Sequence, residues 1–299
     1  MKKHKICKIL LVILAIFLCV AFYELLGICV AYKKQPEVSN TTKKETKNGS
    51  WNECSENTER AVIIEKNPEA LLQRVRLIKN AKKEIILSTF AFQSDESGKL
   101  ILGALHDAAD RGVHIRLLVD GMESWIDMEG NPYFYGLSSH ENVEIKLYNK
   151  ANPLKPWKMM GRMHDKYLIA DGKRYILGGR NTYNYFLGDF PGHKNYDRDV
   201  LVVCDEPEKE NSVNQLLEYF ETIWEQEDSD YFHDNKKLAN RKSVKNAVLE
   251  LQNGYQKYFE ENKERICDTD YTDETFETEK IALVSNPIHT GSKEPVVWY

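Results

Sequence analysis

Residues 163–181, MHDKYLIADGKRYILGGRN, leave the backbone few choices. Tyr167 to Ala170 is a short unbroken apolar run and reads as a buried strand. Asp171-Gly172-Lys173 is a turn signal, and Arg174 to Leu177 reads as the strand that returns. Side chains on a strand alternate between faces, so His164 and Lys166 share one face. A neutral imidazole, with an unperturbed pKa of about 6.5, is a competent nucleophile toward phosphorus. Lys166 brings a positive charge to a phosphodiester oxygen. Gly178-Gly179 lets the backbone approach a ligand closely. Asn181 offers amide donors where a short helix is expected to start, a favourable place for an anion. Taken singly, these residues have ordinary readings as a core histidine and a common hairpin. Jointly, H-x-K-x4-D-x6-G-G-x-N is an arrangement for phosphate chemistry.

The flanking segments alternate in periodicity. Ala61 to Glu65 reads as a strand, and Pro68 to Lys83 as a helix with Leu71, Leu72, Val75 and Ile78 on one stripe. Glu84 to Phe92 is the next strand, followed by a helix capped at Ser97 and running to Arg111. Val113 to Asp120, Val143 to Tyr148 and Val200 to Val203 are further strands. Val213, Leu216, Leu217, Phe220, Ile223 and Trp224 fall at helical spacing. Alternating strands and helices imply an α/β fold, a mixed sheet flanked by helices. Asp120 ends its strand at the sheet edge where α/β sites collect, which makes it a substrate-binding candidate.

Ile9 to Tyr23 is unbroken apolar, Glu24 interrupts and Leu25 to Tyr32 resumes, so Ile6 to Tyr32 is long enough to cross a bilayer once. Cys29-Val30-Ala31 would pass as a signal-peptide cleavage site, but the run is long for a signal sequence and reads as an uncleaved anchor. The expected organisation is an anchor at 1–32, a polar tether at 33–58, a catalytic lobe at 59–230, a charged helical connector at 231–275 and a further segment at 276–299. The helix within the connector is expected near Ser243 to Arg265. The net charge is −5. Four lysines against Glu24 give residues 1–32 a balance of +3, so the remainder carries −8. That balance argues against a nucleic-acid partner. The loops at 152–160 (NPLKPWKMM, with Trp157) and 183–196 carry Trp, Met, Lys and Tyr that would suit a lipid surface or pack the domain. Three of the six cysteines lie in the apolar run, and Cys54, Cys204 and Cys267 form no disulfide framework. No close-spaced set of metal ligands is present in the sequence.

HDKYLIAD followed by GGRN resembles the HKD motif of the phospholipase D superfamily. Leu71 to Asp120 resembles the lead-in of that fold, and GGRNTYNYF with Tyr196 to Leu201 is similar to the bacterial cardiolipin synthase branch. The likeness covers roughly residues 60 to 226. It implies a phospholipase D-like lobe behind one transmembrane helix. It also implies a phosphodiesterase or phosphatidyltransferase acting on phospholipids through a phosphohistidine at His164. Lys166 and Asn181 would bind phosphoryl oxygens. From the residues themselves, Gly178 and Gly179 by close approach, Asp120 at the strand edge and Trp157 in its loop are the substrate-binding candidates. Asp171 would be structural. Asp199 would orient a catalytic histidine, with Asp197 as the open alternative. No metal and no cofactor is implied.

The family builds its site from two such motifs. Here there is one; His114-Ile115-Arg116 comes nearest to a second and lacks the lysine. A second lobe in cis or a homodimer in trans would complete the site. Lys280 to Asn286, KIALVSN, reads as a new strand opening a second lobe, so the chain is expected to be the first lobe of a longer protein. The partners implied are a phospholipid and the cell membrane of a bacterium, with no nucleic acid. The alternatives are a homodimeric nuclease of the same superfamily, or an incomplete half-site that binds phospholipid or a partner lobe.

Overall fold

A computed structural model describes residues 2–33, 59–158, 161–204, 211–233, 236–279, 281 and 283–285. The tether at 34–58, Met159 and Met160 of the Trp157 loop, and the stretch 286–299 lie outside the described residues.

The first element, α1 (Lys2–Lys33), is a single helix whose apolar side chains are almost all exposed. Its apolar span, His4–Val30, is 27 residues, about 40 Å at 1.5 Å per residue. That is long and apolar enough to cross a membrane.

The lobe follows as β1 (Glu59–Ile64), α2 (Asn67–Asn80), β2 (Glu84–Thr89), α3 (Glu96–Asp110), β3 (His114–Asp120), α4 (Gly121–Asp127), α5 (Pro132–Ser138) and β4 (Val143–Tyr148). The motif hairpin is β5 (Lys166–Ala170) and β6 (Arg174–Gly178). Then come β7 (Asp199–Cys204), α6 (Ser212–Trp224), β8 (Ser229–Tyr231), α7 (Lys242–Glu261), α8 (Lys263–Cys267) and β9 (Phe276–Glu277). Among the described residues these strands form one sheet, in the order β8-β4-β3-β2-β5-β6-β7-β1-β9. Strands β2, β3 and β4 are parallel neighbours, with α3 as the first crossover; every other pairing is antiparallel. The mixed α/β sheet read from the sequence is the fold observed.

The faces of the sheet are covered by different helices. On one, Leu71, Val75 and Ile78 of α2 recur every three or four residues. They are buried in one cluster with Ile101, Leu102 and Leu105 of α3 and with Ile115 and Leu117 of β3. On the other face, Val213, Leu216, Phe220, Ile223 and Trp224 of α6 pack on Ile86, Leu118, Ile169 and Val202.

The charge-dense stretch at 231–275 departs from the solvated connector expected of it. Val244, Ala247, Leu251, Tyr255 and Phe259 of α7 form a buried stripe against α3 and α5. The contact is close: a Cβ on Gly103 would meet the Leu251 carbonyl oxygen at 2.7 Å. This helix therefore belongs to the lobe. Two smaller readings also change. The cap of α3 is Asp95, which accepts from the Gly98 backbone N–H at 3.0 Å, and Ser97 is buried inside the first turn. Of the strand expected at 280–286, Ile281 and Leu283–Ser285 are described and none is in a strand; the Leu283 N–H donates to Gln215 of α6 at 3.0 Å.

Asp171 and Gly172 sit in the hairpin turn with φ of 54° and 62°. Positive φ at both positions is what a tight two-strand turn with the native twist needs. The Asp171 carboxylate accepts from the backbone N–H groups of Lys82, Lys83 and Glu84 at 2.9, 2.7 and 3.0 Å. It thereby ties the hairpin to the start of β2. Asp171→Ala is expected to lower stability by about 1–3 kcal/mol, because it removes three hydrogen bonds to a charged carboxylate. Chemical denaturation would check this, and an unchanged midpoint would refute it.

Candidate active site

His164 lies in the extended stretch just before β5 and is exposed. Its ring meets Phe90 edge-on, with centroids 4.6 Å apart. Partial desolvation lowers its pKa from the ordinary 6.5; the charges of Lys166 and Arg162 act the same way, and Asp120 opposes them. The imidazole is therefore neutral at pH 7, the form that can attack.

Lys166 opens β5 and is buried, and its Nζ donates to the His164 carbonyl oxygen at 2.6 Å. Burial pushes its pKa down to about 8, against the attraction of Asp165 and Asp197. Asp165, between the two, accepts from the Tyr219 hydroxyl of α6 at 2.9 Å and borders the same cavity. His164, Lys166 and Gly178 line one cavity of about 290 Å³, together with Leu216 and Tyr219 of α6 and Leu283–Ser285.

The diglycine is required by close approach. A Cβ on Gly178 would lie 2.2 Å from Asp199 Oδ1, and one on Gly179 would lie 2.0 Å from Asp197 Oδ2. Asn181 is buried, and its Oδ1 accepts from the Ala91 N–H at 3.2 Å. The helix expected to start there is absent; Thr182 instead bridges to Phe92, and a turn follows. Asn181 thus pins the loop that carries Phe90.

Asp199 sits in a buried ion cluster. Its Oδ2 lies 2.9 Å from Arg74 Nη1 and 3.2 Å from Arg180 Nη1, and all three side chains are almost wholly buried. Such a cluster holds the start of β7 to α2. Asp197 lies against Gly179, and its charge acts on Lys166. Of the two aspartates, Asp197 is the one whose charge reaches the motif lysine.

Asp120 is engaged by the protein. Its carboxylate accepts from the backbone N–H groups of Met122, Glu123 and Met163 and from Arg162 Nε at 2.9–3.1 Å. These bonds shape the loop that presents His164. Trp157 is half-buried in the turn Pro156–Lys158, which packs on α1, and it does not line the His164 cavity.

Two residues of the site escape the sequence reading. Arg162 lies 4.8 Å from the Phe90 ring centroid and pairs with Asp120 and Glu123. Lys166 Nζ lies 5.5 Å from the same ring. Phe90 therefore sits among His164 and two cations. The alternation of Arg162, His164 and Lys166 is a signal for the first; nothing in the local pattern marks Phe90. Among the described residues no cluster of ligand side chains suited to a metal ion is found.

The family described as "Cardiolipin synthase, PLD-like domain" matches residues 74–224. An uncharacterized protein of Helicobacter pylori strain J99 is 30% identical over 212 residues, covering 66% of this chain and 39% of the relative. Cardiolipin synthase C of Escherichia coli K12 is 29% identical over 171 residues, covering 52% of this chain and 34% of that protein. The chain thus matches no more than about two fifths of the length of these relatives. Among solved structures, the phosphatidylserine synthase of Haemophilus influenzae aligns at a TM-score of 0.49 with 18% identity, over 74% of this chain and 48% of that one. With half of its residues under the family match, this chain belongs to the phospholipase D superfamily, in the cardiolipin synthase-like domain family.

Proposed function

We propose that this lobe transfers phosphatidyl groups between alcohols at a membrane surface, in the manner of a cardiolipin synthase. The observation that carries the reading is an exposed, neutral His164 beside a buried, cationic Lys166. An imidazole nitrogen of His164 attacks the phosphorus of a phospholipid. The bond to the headgroup oxygen breaks, and the headgroup leaves as an alcohol once that oxygen gains a proton. The hydroxyl of a second lipid then attacks the phosphohistidine, releasing His164. Lys166 offsets the charge that gathers on the phosphoryl oxygens.

The leaving oxygen needs a proton donor, and the sequence holds one H-x-K pair. A second histidine from another lobe or another copy of the chain fills that role. The span in α1 supports a lipid substrate, since it would hold the site at the interface. Incubation with phospholipid labelled in the phosphate tests the reading. An acid-labile adduct on His164 is expected; an adduct formed from phosphate-labelled DNA in its place would favour the nuclease alternative.

The pH dependence follows from the two shifts. Attack needs His164 neutral, so kcat/KM rises with pH through a limb below 6.5. Phosphoryl binding needs Lys166 protonated, so kcat/KM falls with pH through a limb near 8. A rate still flat at pH 10 would rule out a charged Lys166 in the reaction.

A further inference from the structure

One face of α1 is docked on the lobe. Gly27 is buried, and a Cβ there would lie 2.3 Å from Pro156 Cγ. One turn earlier, the Tyr23 hydroxyl donates to the Leu154 carbonyl oxygen at 2.8 Å. Glu24 and Ile28, on the same face, border a cavity of about 590 Å³ between α1 and the lobe. Its other walls are largely apolar and include Met122 and Trp125 of α4, Leu147 of β4, and Phe232. Lys150, Glu129 and His233 also border it, the last two paired with each other at 3.0 Å. Trp125 is itself 67% exposed, and beside the cavity Ile126 and Leu154 are 66% and 77% exposed.

We infer that this cavity takes one acyl chain of a membrane phospholipid. A segment long enough to span a bilayer forms one of its walls, within two turns of the end of that span. That places the cavity at the boundary between headgroups and acyl chains, where exposed Trp and aliphatic side chains partition. Its volume is that of a small-ligand site, about 300–1,000 Å³. Lys150, whose Nζ donates to the Tyr231 carbonyl oxygen, borders the cavity and would offer a cation to the phosphate of the same lipid. The inference rests on the reading of α1 as a membrane anchor and is separate from the chemistry at His164.

The full chain in phosphatidylglycerol–phosphatidylcholine vesicles, with a trace of phospholipid bearing a diazirine in its acyl chain, tests this. After irradiation, labelled peptides should include Met122 and Phe232 as well as Phe17 on the exposed side of α1. Ala151→Trp places an indole in the cavity and should cut labelling of Met122 and Phe232 by roughly tenfold, with Phe17 unchanged. Gly27→Leu, which separates α1 from Pro156, should do the same and serves if the first variant does not fold. Labelling of Phe17 and Ile126 without Met122 or Phe232 would overturn the inference while leaving the anchor intact. No labelling of Phe17 would overturn the anchor reading and the inference together.

Discussion

His164→Ala is expected to lower phosphatidyl transfer by at least about 10³-fold while leaving the fold unchanged. The size of the loss follows from the proposed role: without the imidazole no covalent intermediate forms, and direct displacement by a lipid hydroxyl has no activated nucleophile. The fold should survive because the side chain is exposed and lies outside the two buried hydrophobic clusters of the lobe. Initial rates with labelled phospholipid, set beside a thermal melt of the same preparation, check both halves. A variant that keeps more than about a tenth of the activity would remove His164 from the nucleophile's role.

Asp199→Ala is expected to have the largest effect on stability, about 3–5 kcal/mol, because it leaves two buried guanidinium groups without their shared counter-charge. For a lobe of this size the melting temperature should fall by roughly 6–20 °C. Replacing Asp199, Arg74 and Arg180 together by apolar residues of similar volume should recover much of that loss. A melt shifted by under about 2 °C in the single variant would show that the cluster is not a structural tie. The pair of variants also separates roles: His164→Ala should lose activity without stability, and Asp199→Ala should lose stability first.

Much of this is legible in the sequence where one physical signal dominates. The hairpin can be read because an apolar run, a turn and a returning run follow each other within a dozen residues. Helices α2 and α6 can be read because each buries a single stripe. Helices α4 and α5 cannot: each is 7 residues, too short for periodicity to show. Their caps, Asp120 and Asn131, are the available signals. In α7 the buried stripe is masked by the charges on its other faces. The role of Asp199 is hidden because Arg74 lies 125 residues away in the chain. No local pattern reports a partner at that distance, so the ion cluster around this aspartate cannot be read from the sequence beside the motif.

The packing of α7 has a practical consequence for where this protein can be cut. The family match ends at residue 224, yet β8, α7 and β9 all come later, and β1 comes before the match begins. Two of these are the outermost strands of the sheet, and α7 roofs α3 and α5. The stretch that the family shares is therefore smaller than the unit that folds. A fragment trimmed to the shared part would bare the flank of α3 and both new sheet edges, an invitation to self-association.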